Sequence, residues 1–147
     1  MEHIKNYYLI TDQIATSGQP TLEQFSEIAH AGYQIVINLA LPSSDNALAD
    51  EGAIVTRLGM IYIHIPVIWD DPKIEDLQFF CEVMGSLKKR KVWIHCALNM
   101  RVSCFMYLYR KLILKIPETQ AKYPMTELWQ PNPVWQKFIH DAEMSLV

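Results

Sequence analysis

From Val102 to Ile116 this chain is apolar on almost every side of a helix, with Val102, Phe105, Met106, Tyr109, Leu112, Ile113 and Ile116 on the main face and Cys104, Tyr107 and Leu108 elsewhere. A helix apolar nearly all round is buried on all sides. Just upstream is the β-rich run Val92-Trp93-Ile94-His95, and the short stretch Cys96 to Met100 joins the two. A buried strand leading by a tight loop into a buried helix puts that loop at the C-terminal edge of a sheet. There the first backbone N–H groups of the helix lack intrahelical partners and its dipole end is positive.

The rest of the chain fits that arrangement. Short β-rich runs alternate with segments of helical period, the order of an α/β domain with a mainly parallel sheet. Thr21 reads as an N-cap, Leu22, Phe25, Ile28 and Ala29 form one helical face, and Gly32 ends that helix. Ile35-Val36-Ile37-Asn38-Leu39 and Ile61-Tyr62-Ile63-His64-Ile65 read as strands, with a short helix over about 48 to 58 between them. Pro72 suits the first turn of a further helix, with Asp71 its N-cap, and Ile74, Leu77, Cys81, Met84 and Leu87 share a face. Lys88 to Lys91 read as a solvated terminus of that helix complementing its dipole. Trp129, Trp135, Phe138 and Ile139 are expected to pack a last helix onto the sheet. The expected fold is one three-layer α/β domain over 1–147.

With 147 residues, half of them apolar, the chain can bury one ordinary core. Sixteen acidic against thirteen basic residues leave a net charge of −3, without the positive field that nucleic-acid binding needs. No long uncharged apolar stretch and no signal-like start is present, so a cytoplasmic protein without a membrane partner is expected. The three cysteines, Cys81, Cys96 and Cys104, show no metal-ligand spacing and read as free thiols.

Cys96 stands at the edge of the positive helix end and Arg101 in its first turn. Both favour a thiolate, and the guanidinium fork matches phosphate oxygens. A nucleophile, an amide cradle and a clamp therefore converge on an anion.

On His95-Cys96, Arg101 and Ser103 the chain resembles the cysteine-dependent protein tyrosine and dual-specificity phosphatases, with four residues between Cys96 and Arg101 where that signature has five. It is similar to a bacterial phosphatase-like subgroup, a domain of unknown function, on Thr16-Ser17-Gly18-Gln19-Pro20, Val36-Ile37-Asn38-Leu39 and His95-Cys96 with Asn99, Arg101 and Ser103. The resemblance implies attack by Cys96 on a phosphomonoester, a phosphocysteine intermediate and no metal or other cofactor. It also implies oxyanion binding by Ala97, Leu98, Asn99, Met100 and Arg101, assistance to the leaving thiolate from Ser103, and ordering of the loop by His95. The family's general acid is an aspartate on an upstream loop. Asp70 is the candidate, ahead of Asp71, and in the subgroup the acid can sit two positions before Asp70, where this chain has Ile68.

Simpler readings stand beside these. Cys96 also suits an inert core thiol and Arg101 a structural ion pair, His95 and Ser103 plain hydrogen bonding in the interior, Asp70 a solvated loop, and Cys81 and Cys104 the core or a resolving thiol for Cys96. Gln19 and Asn99 suit either the pocket rim or turn formation. Three activities fit the same loop. A phosphatase acting on a phosphorylated protein or small molecule leads. The others are a phosphate-binding pseudophosphatase with a misplaced nucleophile and a rhodanese-like sulfur transferase.

Overall fold

The computed structural model describes residues 1–146. Five strands, β1 (Tyr8–Thr11), β2 (Ile14–Ser17), β3 (Ile35–Asn38), β4 (Ile61–His64) and β5 (Val92–His95), form one sheet in the order β1-β2-β5-β3-β4. All neighbours are parallel except the β1-β2 hairpin. β5 is central, between β2 and β3, so its C-terminal end opens where connections diverge to both sides. That crevice is where open α/β sheets bind ligands.

The alternation of side chains along β3 and β5 builds two cores. Ile35, Ile37, Val92 and Ile94 face one side, where they meet α3 (Ile74–Ser86), α4 (Met100–Leu108) and α7 (Pro133–Ser145). Val36 and Trp93 face the other, against Phe25 and Ile28 of α1 (Leu22–His30) and Ile54 and Val55 of α2 (Glu51–Arg57). The result is the expected three-layer fold with a mainly parallel sheet. No helix among the described residues is long and apolar enough to cross a membrane.

Helix α1 begins as its sequence predicts. The Thr21 hydroxyl accepts from Gln24 N–H while the Gln24 side chain accepts from Thr21 N–H, a reciprocal capping box. Beyond its end Gly32 takes φ +93°, a left-handed conformation that glycine adopts without cost. Lys91 Nζ then donates to Ala31 O at 2.6 Å.

Several expectations need correction. Ile14–Ser17, for which the sequence predicts no strand, is a parallel strand beside β5, with Thr16 and Ser17 fully buried and bonded. Asp71 is not an N-cap. Helix α3 starts two residues beyond Pro72, its N-cap position is Lys73, and the Asp71 carboxylate pairs with Lys73 Nζ at 2.7 Å. Residues Lys88 to Lys91 lie past the last turn of α3, which ends at Ser86, so they do not complement its dipole from within. Ile113 is exposed because Tyr109–Ile113 form a π-helical turn, with Leu114 N–H bonded to Tyr109 O, and the wider turn rotates it off the apolar face. Helix α7 joins the core on one face of the sheet as expected, and its direct helix partners are α3 and α4, with Trp135 and Phe138 against Phe105.

Candidate active site

Residues 96–101 close a tight turn between β5 and α4 in which Asn99 takes φ +67°. Asparagine tolerates that left-handed conformation better than most residues, and the turn sends the chain directly into the helix. Its carbonyls all point into the scaffold. Cys96 O meets His95 Nδ1 at 3.2 Å, Ala97 O accepts from Gln19 N–H and Asn46 Nδ2 at 3.1 Å each, and Leu98 O accepts from Asn6 Nδ2 at 2.9 Å. Across a trans peptide the next N–H points the opposite way. Correspondingly, among the described residues the N–H groups of Ala97, Leu98, Asn99, Met100 and Arg101 have no protein acceptor.

Gly18 makes this possible from below. A Cβ there would lie 2.7 Å from Ala97 O and about 3.1 Å from the Lys5 side chain, so only glycine lets the loop come this close. Gly18→Ala is expected to cost about 1–3 kcal/mol, as overpacking does, and to lower Tm by several degrees in thermal denaturation. An unchanged Tm would mean that the loop moves aside freely.

Cys96 and Arg101 meet in a small pocket of about 110 Å³ with Trp69, Ala97, Leu98 and Met100. Arg101 is 6% exposed, donates from Nη1 to Val67 O at 2.9 Å and lies 5.9 Å from the centre of the Trp69 ring. No carboxylate among the described residues lies within 4.0 Å of it. A buried cation without a counter-ion is costly. Arg101 shares its pocket with Ala97, Leu98 and Met100, whose unbonded N–H groups attract an anion.

Trp69 is held in an aromatic cluster with Trp129 and Trp135, and Trp135 Nε1 donates to Trp69 O at 2.9 Å. Trp129 Nε1 donates to Ser103 Oγ at 3.1 Å, and that hydroxyl donates to Met100 O at 3.0 Å. Ser103 is thus bonded on both sides, beneath the first turn of α4.

His95 is fully buried and its Nε2 lies 2.6 Å from Glu51 Oε2. The other Glu51 oxygen accepts from Gln19 Nε2 at 2.7 Å. Burial pushes the Glu51 carboxyl up, but the hydrogen bond and charge of His95, with hydrogen bonds from Gln19 and Tyr62, outweigh it and hold the group below the usual carboxylate range.

The fold therefore brings Cys96, Ala97, Leu98, Met100 and Arg101 to one pocket and His95 and Ser103 behind it. Asn99 is fully buried and sits behind the loop, donating to Asn6 O at 2.8 Å and Thr16 Oγ1 at 3.1 Å. Gln19 lines a larger neighbouring pocket with Asn38, Glu51, Tyr62 and His64. Asp70 is exposed and lines a separate depression with Asp71, Val134, Lys137 and Asp141, not the Cys96 pocket. All three cysteines are free. Burial pushes the Cys81 thiol up to about 11 and that of Cys104 still higher, which disfavours either as a nucleophile. Glu51 and Trp69 escape sequence reasoning, because each lies in a segment without a motif and far along the chain from Cys96.

A mainly parallel sheet with a cysteine loop between its central strand and a buried helix defines the protein tyrosine phosphatase type of fold. Tk-PTP superposes with a TM-score of 0.79 at 16% identity over 95% of this chain and 97% of that one. Kinase associated phosphatase, with its catalytic site cysteine changed to serine, gives 0.78 at 16% identity over 98% and 95%. Identities this low speak for the fold alone.

The chain belongs to the DUF442 family: the structure of "Putative phosphatase (DUF442)" from Shewanella putrefaciens CN-32 is 36% identical, covers 99% of this chain and 95% of that one, and has a TM-score of 0.88. "Beta-lactamase hydrolase-like protein" from Xylella fastidiosa (strain Temecula1) is 30% identical over 119 residues, or 76% of this chain. The chain spans only 27% of the length of that curated relative. No family model matches the chain.

Proposed function

We propose that the protein is a cysteine-dependent phosphatase that hydrolyses a phosphomonoester at the Cys96 pocket. The observation that carries this reading is the buried Arg101 guanidinium, without a carboxylate partner, sharing a pocket with Cys96 and a run of unbonded amides. That set recognises a tetrahedral oxyanion and offers it one sulfur. The Cys96 thiolate attacks phosphorus in line, the S–P bond forms as the P–O bond to the leaving group breaks, and water then cleaves S–P to release phosphate. The loop amides and Arg101 hold the equatorial oxygens, so the charge neutralisation that a metal supplies elsewhere comes from the protein.

The six lining residues include no carboxylate. Without a general acid, turnover of poor leaving groups falls by about 10²–10⁴-fold, and aryl phosphates, whose leaving groups need no proton, are the favoured substrates. Hydrolysis of 4-nitrophenyl phosphate in the presence of EDTA, inhibited by vanadate, tests the reading; its absence would refute it. Asp70→Asn is expected to leave that rate within about twofold, the usual effect of a change at an exposed position. A loss of a hundredfold would restore Asp70 as the acid.

The missing carboxylate also favours a second reading, sulfur transfer. The Cys96 thiolate would take the outer sulfur of thiosulfate, giving a Cys96 persulfide and sulfite. Sulfite departs as an anion and needs no proton. Persulfide formation from thiosulfate, without phosphate ester turnover, would select this reading.

A further inference from the structure

Two successive carbonyls of the cysteine loop are held by residues that meet on one buried carboxylate. Glu51 opens α2, 44 residues before His95 in sequence, and is 6% exposed. Its Oε2 is 2.6 Å from His95 Nε2 and its Oε1 is 2.7 Å from Gln19 Nε2. The other nitrogen of His95 reaches Cys96 O, and the backbone N–H of Gln19 reaches Ala97 O. A carbonyl oxygen only accepts, so Nδ1 donates; an ionised carboxylate only accepts, so Nε2 donates too.

We propose that Glu51 is a positioning residue of the Cys96 site: through His95 and Gln19 it sets the peptide units after Cys96 and Ala97 so that the N–H groups of Ala97 and Leu98 face the bound oxyanion. The proposal rests on the reading of the Cys96 pocket as an oxyanion site. Turning each carbonyl into the scaffold turns the following N–H outward, because the peptide is planar and trans. A carboxylate is suited to this task, since two oxygens with the same acceptor character can hold both donors at once. An amide at the same place cannot, for one end of it would present hydrogens to a donor. Gly52, next in α2, lets the helix approach closely, since a Cβ there would come within 3.1 Å of the Tyr62 ring.

The test compares the full chain with Glu51→Gln, which keeps the side-chain shape. Two quantities are read: the protection of Cys96 from iodoacetamide by inorganic phosphate, and kcat and KM on 4-nitrophenyl phosphate. With the fold intact by circular dichroism, phosphate protection should weaken by about tenfold, of the order lost when a residue that orients a site is removed. KM should rise more than kcat falls, because the amides hold the oxygens in the bound ester as well as in the transition state. A folded Glu51→Gln protein protected within about twofold of wild type would overturn the proposal.

A second variant guards against one that does not fold. Gln19→Leu removes one of the two donors on Glu51 and should also weaken phosphate protection of Cys96, by less than Glu51→Gln does; protection within about twofold of wild type in a folded Gln19→Leu protein would overturn the proposal. Wild-type protection that depends on Glu51 without ester turnover would sink the phosphatase reading and support this one. Turnover with protection indifferent to Glu51 would do the reverse, and a wild type that phosphate does not protect would end both.

Discussion

Cys96→Ser is expected to lower 4-nitrophenyl phosphate hydrolysis at least roughly 10³-fold, since a nucleophile that forms the covalent intermediate has no substitute in the pocket. A serine hydroxyl fits the same space but needs a base to ionise it. No carboxylate or imidazole lines the pocket to act as one. His95 is committed elsewhere, to Glu51 and to Cys96 O. Phosphate binding should survive, because the amides of Ala97 to Arg101 and the guanidinium are untouched. Steady-state kinetics together with phosphate titration by calorimetry check both halves. Residual activity within tenfold of wild type would show that the hydrolysis does not pass through this sulfur.

Arg101→Lys should reduce kcat/KM by about 10²–10³-fold, the size of effect seen when one preorganised donor to a developing oxyanion is lost. The guanidinium has five N–H donors in a rigid fork. One is anchored to Val67 O, which leaves the remainder directed by a plane that Trp69 helps to fix. A lysine ammonium keeps the charge but cannot hold the carbonyl and clamp two oxygens together. Where it turns to the anion, Val67 O is left without a partner, at about 1–3 kcal/mol if it stays buried. The kinetic loss should therefore come with a modest fall in Tm and weaker phosphate inhibition. Rates within tenfold of wild type would mean that the amide loop alone binds the oxyanion.

That Cys96, Arg101 and the amides between them share one pocket was legible along the chain because they belong to one strand-loop-helix unit, in which the strand run, the buried helix and the spacing from Cys96 to Arg101 are local. The α1 capping box and the Gly32 stop were legible for the same reason. Glu51 was not, since nothing near it in sequence marks it, and it reaches His95 only because α2 packs on the face of the sheet beside β5. Asp70 had the right position along the chain for a general acid, yet the loop before α3 carries it to the depression beside α7. Ser103 kept its distance from Cys96, but the packing of Trp129 decided what its hydroxyl bonds.

What the sequence determined by itself was the class of fold and a turn that gathers a cysteine, an arginine and the free amides of a helix end, because periodicity, caps and helix ends act over a few residues. Tertiary structure alone decided that Glu51 bonds the two residues behind that turn while Asp70 stands apart from it. Such contacts join residues tens of positions apart, and they are set by how helices and strands pack, which short-range preferences do not encode.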